Sequence, residues 1–306
     1  MRVVFMGTPD FAVPTLECLA RAAGFELTAA VCQPDRPAGR HGAISQPAVK
    51  RAALALGLEV YQPERMRRPE AVAWLKAQRP DALAVVAYGQ LLPPEVFDLP
   101  QWGAINAHAS LLPAYRGAAP IQWAIARGET RAGVTTMRIN AGLDTGDILL
   151  TDSLAIGPDE TAPDLSRRLS ASAAALMEKT LLGLAAGTVR PTPQPEEGTL
   201  APLLTRGDGA VDWTRPAAEI YNRWRGFQPW PGIHTVLNGR QLAILKCHPE
   251  LGTGEPGRVT HADGRLVVAC GQDALGLDTV RAEGRQAVSG DEFARGARLA
   301  KSFLLR

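Results

Sequence analysis

The pattern of apolar and polar positions divides the chain in two. Through about residue 190, short continuous apolar runs alternate with amphipathic stretches long enough for helices. Arg2–Met6, Leu27–Cys32, Leu58–Tyr61 and Asp81–Ala87 are rich in apolar or β-branched residues and are bounded by turn formers, so they are expected to be strands. Between them, Asp10–Ala23, Ser45–Leu56 and Pro69–Gln78 are expected to be helices. That order predicts parallel strands joined by right-handed crossovers. Asp81–Ala87 has no polar alternation, which suits a strand covered on both faces. Ile105–Ala107 and Val134–Ile139 continue the strands around a helix over Ala118–Arg127, and Ile148–Leu150 is again extended. A long helix over Ala162–Ala186 opens on a Thr161/Asp164 capping pair and stops at Gly187.

Beyond this point the rhythm changes. Val189–Pro202 contains four prolines and little apolar content, the composition of a semi-extended connector. His234–Leu237 and Gln241–Lys246 flank Asn238-Gly239, the residue pair of a type I′ hairpin turn. Arg258–Thr260, Leu266–Ala269 and Leu275–Val280 are further short strands. Helices are expected over Arg215–Arg225 and from Ser289, where Glu292 completes a capping box. The expected fold is α/β: a Rossmann-like domain with a mostly parallel sheet over residues 1–189, a linker over 190–204, and a small OB-like β-barrel over 205–306.

Composition adds little by itself: 46% hydrophobic and 21% charged residues describe an ordinary globular chain of 306 residues. The net charge of +2 is unevenly spread, with 19 Lys/Arg against 20 Asp/Glu through residue 205 and 14 against 11 beyond it. A mildly basic C-terminal part suits an anionic partner or an ordinary solvated surface. Cys18, Cys32, Cys247 and Cys270 have no metal-site or C-x-x-C spacing, so buried thiols in a reducing compartment are expected and no metal is implied. No apolar run reaches membrane-spanning length, and Val3–Met6 gives way at once to Gly-Thr-Pro-Asp rather than to a signal-peptide core. A cytoplasmic monomer that uses no membrane is the expectation.

The candidate chemistry lies in Gly103–Gln122 and Gly142–Ile148. Asn106 and His108 are two apart on an extended segment, so their side chains share a face. Asp144 lies in a glycine-bounded loop. An amide, an imidazole and a carboxylate that met in one pocket could hold a developing oxyanion and move a proton. Taken singly, the histidine could be a core residue and the aspartate a turn residue. Both polar groups flanking Ala107 at a strand's carboxyl end favour a site, because burying them without a use is costly. Gln33–Gln46 is long for a connection in an α/β unit and is either a surface loop or a binding loop. Gly7 ends the first strand, but no G-x-G-x-x-G follows, which disfavours dinucleotide binding.

Five segments carry a resemblance: Gly7-Thr8-Pro9-Asp10-Phe11, Gln33–Arg40, Ala87-Tyr88-Gly89, Asn106-x-His108-x-Ser110-Leu111-Leu112-Pro113-x-x-Arg116-Gly117-Ala118-Ala119-Pro120, and Gly142–Asp147. In this order they resemble the methionyl-tRNA formyltransferase family, within the wider 10-formyltetrahydrofolate-dependent transferases, over nearly all of residues 1–190. The C-terminal part resembles that family's β-barrel more loosely. The resemblance implies formyl transfer from 10-formyltetrahydrofolate to the α-amine of initiator methionyl-tRNA. It implies Asn106, His108 and Asp144 as catalytic residues. It also implies Ser110, Leu111, Leu112, Pro113, Tyr88, Gly89, Gln90 and Leu91 around the folate, with Leu111 and Leu112 against the pterin faces. Arg36, Arg40 and His41 would contact tRNA. The family can carry lysines just after the loop arginine, where this chain has His41-Gly42-Ala43, so the loop is less basic here. Arg223, Trp224, Arg225, Arg240 and Arg258 are the C-terminal candidates for tRNA contact, with Trp224 and Trp230 more in keeping with core or interface roles. A sugar-nucleotide or glycinamide-ribonucleotide formyltransferase would share the triad but lack the arginine-bearing loop. A nucleic-acid-binding scaffold without activity would have no use for the triad.

Overall fold

In the computed structural model, which describes residues 1–38, 43–262, 265–297 and 303–305, the chain begins with β1 (Arg2–Gly7), α1 (Val13–Arg21) and β2 (Glu26–Val31). A hairpin of β3 (Arg36–Ala38) and β4 (Ala43–Ser45) follows, then α2 (Ala48–Ala55), β5 (Val60–Tyr61), α3 (Pro69–Gln78), β6 (Ala82–Val86) and α4 (Pro94–Phe97). Next come β7 (Ala104–His108), α5 (Pro120–Ala126), β8 (Arg131–Arg138), β9 (Ile148–Ala155) and α6 (Ala162–Ala185). The remainder comprises α7 (Ala217–Gly226), β10 (Ile233–Leu237), β11 (Arg240–Glu250), β12 (Val259–Ala262), β13 (Arg265–Ala269), β14 (Ala274–Ala282), β15 (Val288–Ser289) and α8 (Gly290–Gly296). Two units result: Met1–Pro120, Arg131–Ala155 and Ser166–Ala201 form the first, and Ile121–Thr130, Ile156–Leu165 and Pro202–Arg306 the second.

The first unit is organised on a seven-stranded sheet in the order β5-β2-β1-β6-β7-β8-β9. Pairing is parallel from β5 to β7, and β8 and β9 complete it antiparallel. Every residue of β6 is buried, as its unbroken apolar sequence predicts. Val4, Met6, Val31, Met66, Leu75 and Leu83 fill one cluster of the core. The segment expected as one helix, Asp10–Ala23, instead starts with a 3-10 turn over Asp10–Ala12, and the α-helix begins at Val13 with Pro14 in its first turn. Proline fits there because the first helical N–H groups lack intrahelical partners anyway.

The chain moves from β1 outward to β2 and β5, then returns to the other side of β1 as β6. The strand order therefore reverses between the parallel neighbours β1 and β6, and ligands of open α/β sheets gather beyond the strand ends at such a point. Thr8-Pro9 and Ala87–Gly89 are the loops that leave these two ends.

Residues 190–201, which the prolines mark as a connector, lie in the first unit. Thr192 and Ile148 exchange both backbone hydrogen bonds at 2.8 Å, and Ala201 N donates to Arg116 O at 2.7 Å. The second unit holds an antiparallel sheet in the order β10-β11-β14-β13-β12, with β15 added to β14. Asn238 and Gly239 both have positive φ, 49° and 74°, as the type I′ turn requires. Ser289 and Glu292 form the expected capping box of α8.

Candidate active site

β7 carries Asn106 and His108 to the sheet's rim. Strand alternation puts both on one face; His108 is 6% exposed and Asn106 half-buried. The chain then turns sharply through Ser110–Gly117, with a cis Leu112–Pro113 bond and Tyr115 at φ 61°. The turn is tied both within itself and to a distant segment. Ser110 Oγ donates to Ala114 O at 2.6 Å, and Tyr115 N donates to Thr199 Oγ1 at 2.8 Å. Thr135, fully buried on β8, donates to Ser110 O at 2.7 Å and accepts from Leu112 N at 3.1 Å. Thr135→Val keeps the shape but deletes both bonds, leaving a buried N–H and a buried carbonyl unpaired. It is expected to cost about 2–4 kcal/mol in denaturant unfolding, and a change below about 0.5 kcal/mol would mean the turn is held otherwise.

This turn brings the distant carboxylate to the imidazole. Gly117 N donates to Asp144 Oδ2 at 2.8 Å, and the same oxygen lies 3.6 Å from His108 Nδ1. Gly117 has φ 117°, and a Cβ there would sit 2.7 Å from Ala201 O, so no other residue fits this junction. Asp144 itself is held at φ 52°. The other ring nitrogen of His108, Nε2, is 2.8 Å from Tyr115 O. A carbonyl only accepts, so Nε2 donates. At 3.6 Å the Asp144 oxygen is a near neighbour of Nδ1 rather than a hydrogen-bond partner. The side-chain amide of Asn106 makes no hydrogen bond among the described residues, so its donors are open to a ligand.

The other expected site residues differ in what they expose. The Tyr88 ring is 2% exposed in the core beside Met6 and Met66, and burial pushes its hydroxyl pKa up. What Tyr88 offers near the rim is backbone: its carbonyl accepts from Thr8 Oγ1 at 2.8 Å and Gln33 Nε2 at 3.3 Å. Gln90 is turned back onto Met66 N and Pro63 O, at 2.8 and 3.1 Å. Gly89 is exposed, and Leu91 is 90% exposed. Of Ser110–Pro113, Ser110 and Leu112 are buried, while Leu111 and Pro113 are half-buried. Leu112, at 6% exposure, is the more deeply packed of the two leucines.

A cleft of about 580 Å³ opens beyond the ends of β1, β2 and β6, lined among others by Thr8, Gln33, Arg36, Pro47, Tyr88 and Gly89. That volume suits an organic ligand. Arg36 is exposed there; Arg40 and His41 lie outside the described residues. Beside Arg36, Asp35 accepts from Lys50 Nζ at 2.6 Å and Gln62 Nε2 at 2.8 Å, and these bonds, Gln62's first, hold its carboxyl below the usual range.

In the second unit, three of the arginines expected to contact tRNA already have partners. Arg225 is 5% exposed and donates to Gly157 O, Glu160 O and Asn222 Oδ1. Arg223 donates to Asp208 O at 2.6 Å, and Arg258 pairs with Glu255. Burial lowers the pKa of both Arg223 and Arg225. Trp224 stacks on Tyr221 and donates to Leu245 O, a packing role. Arg240 is exposed. The thiols are not nucleophiles in waiting, since burial pushes Cys32 up to about 11 and Cys270 up to about 12.

Residues 1–181 match the family model described as formyl transferase, and residues 203–298 match the formyl transferase C-terminal domain. The chain is 53% identical over 305 residues to the methionyl-tRNA formyltransferase of Solibacter usitatus, covering 99% of this chain and 97% of that protein. It is 52% identical to the one from Acidobacterium capsulatum, covering 98% of each. Among solved structures, a sugar 3N-formyl transferase determined with dTDP and 5-N-formyl-THF superposes with a TM-score of 0.66 at 15% identity, over 94% of this chain and 99% of that one. HypX from Aquifex aeolicus in complex with tetrahydrofolic acid gives 0.62 at 17% identity, over 96% of this chain and 47% of that one. At such identities the two structures speak to the fold alone.

Proposed function

The chain belongs to the methionyl-tRNA formyltransferase family, and we propose that it carries the formyl group of 10-formyltetrahydrofolate to the α-amine of initiator methionyl-tRNA. The observation that carries this is identity above one half along the whole length of relatives of that name.

The α-amine attacks the formyl carbon, and the carbonyl π electrons move onto oxygen. The tetrahedral intermediate collapses as the bond from carbon to the folate N10 breaks. One proton leaves the amine and one arrives at N10. Asn106 donates from its open amide to the developing oxyanion, an interaction that oxyanion-hole precedents value at about 3–4 kcal/mol. His108 adds a second donor by turning its Nε2 proton from the Tyr115 carbonyl to the oxyanion. The Asp144 carboxylate, 3.6 Å from Nδ1, offsets positive charge on that ring and steers the proton between amine and leaving nitrogen, directly or through water. Three features suit the folate: the exposed Leu91 gives an apolar surface, exposed Gly89 gives backbone groups, and Leu111 and Pro113 form the half-exposed side of the turn.

Arg36, Arg40 and His41 would engage the acceptor end of the tRNA, with exposed Arg240 among the phosphate contacts of residues 205–306. Arg40→Ala is expected to slow tRNA formylation while leaving folate affinity within about twofold, because a phosphate or base contact carries no folate interaction. Parallel loss of both would point to a folding defect. Such work belongs in the cytoplasm, beside translation; no helix among the described residues is long and apolar enough to cross a membrane.

The assay that tests the function supplies 10-formyltetrahydrofolate with methionine charged on initiator or on elongator tRNA. Formylation of the initiator species in strong preference is expected. Absence of product with both, or transfer to an amino-sugar nucleotide instead, would overturn it.

A further inference from the structure

We infer that Gln194, held by the buried guanidinium of Arg116, is a positioning residue for the catalytic carboxylate; the inference rests on the formyl-transfer reading above. Gln194 lies in the proline-rich stretch, far in sequence from the triad, and its amide is used at both ends. Nε2 donates to Asp144 O at 2.9 Å and to Gly146 O at 2.6 Å. Oε1 accepts from Arg116 Nε at 3.2 Å and Nη2 at 2.9 Å. Arg116, 7% exposed, also donates to Pro195 O at 2.8 Å and Glu196 O at 3.1 Å, so it holds the two residues after Gln194 as well as the Gln194 side chain.

The consequence is a closed circuit around Asp144. Its side chain is anchored by Gly117 N, and its own carbonyl is anchored by Gln194, which is in turn anchored by Arg116, the neighbour of Gly117. Asp144 needs such an anchor because φ 52° is unfavourable for a residue with a Cβ and persists only when the surroundings over-determine it. Release of the Asp144 carbonyl would let the loop relax and move the carboxylate relative to His108 Nδ1. Misplacement of a catalytic group by about 1 Å is enough to lower turnover roughly 100-fold.

Two substitutions separate positioning from mere tethering of the segment. Gln194→Ala removes both ends of the link. Gln194→Glu keeps an acceptor for Arg116, so the segment stays tied, but a carboxylate has no proton to give the Asp144 and Gly146 carbonyls. With wild-type enzyme confirmed active on methionyl-tRNA, both variants are expected to lose about 10- to 100-fold in kcat, with KM for folate and for tRNA within about twofold. Gln194→Glu is expected to melt within a few degrees of wild type. Rescue of kcat by Gln194→Glu, unchanged kcat in either variant, or a loss confined to KM would overturn the inference. Inactive wild-type enzyme would instead overturn the function on which it rests.

Discussion

Asn106→Ala is expected to lower kcat by about 10²- to 10³-fold, with KM for both substrates nearly unchanged. The reason lies in timing. The formyl oxygen carries little charge before attack and close to a full charge in the intermediate, so an amide aimed at it acts mainly in the transition state and shows in kcat. Asn106 is the triad member whose donors are uncommitted among the described residues, whereas His108 Nε2 already serves Tyr115 O and Nδ1 faces Asp144. Asn106→Asp is the sharper comparison, since it keeps the shape but replaces donors with negative charge. It is expected to be at least as damaging as Ala. Steady-state rates of either variant within about threefold of wild type would remove Asn106 from the oxyanion hole, where one donor is worth far more.

Asp144→Asn is the second large effect, a loss of about 10²- to 10⁴-fold in kcat, the range of a removed acid–base group. The amide oxygen can still accept from Gly117 N, so the loop stays tied and the turn keeps its course. What disappears is the charge facing His108 Nδ1. His108→Ala should cost a similar amount. The double variant should be little worse than either single one, because groups that act as a unit are not additive in their losses. Losses that multiplied in the double variant would show that the carboxylate and the imidazole serve separate steps.

Features decided by local chemistry were legible in the sequence. β6 could be read from its unbroken apolar run, the β10–β11 turn from Asn238-Gly239, and the start of α8 from Ser289 and Glu292. The placement of Asn106 and His108 on one face followed from strand alternation. The approach of Asp144 to His108 was implied by the resemblance alone and could not be read from the residues themselves. It depends on a bond between Gly117 N and a side chain 27 positions away, which no local pattern encodes. The resemblance placed residues near the site but could not say which atoms they present. Tyr88 turns its ring into the core, Leu112 is packed away, and Gln90 holds Met66 N. Arg225 illustrates the same limit: sequence gave its charge, but only the fold shows carbonyls of Gly157 and Glu160 surrounding it. Gln194 had no signal at all, since a glutamine among prolines looks like solvent-facing connector. Arg116 at least stood inside a recognisable motif.

The most direct measurement is a crystal structure of the chain with a non-transferable 10-formyl folate analogue. The formyl oxygen is predicted within about 3.2 Å of Asn106 Nδ2, hydrogen-bond distance, with the formyl carbon on the side of the turn where His108 and Asp144 meet. An analogue bound with its formyl group facing away from Asn106 and His108, or seated elsewhere in the molecule, would contradict the proposed chemistry at its centre.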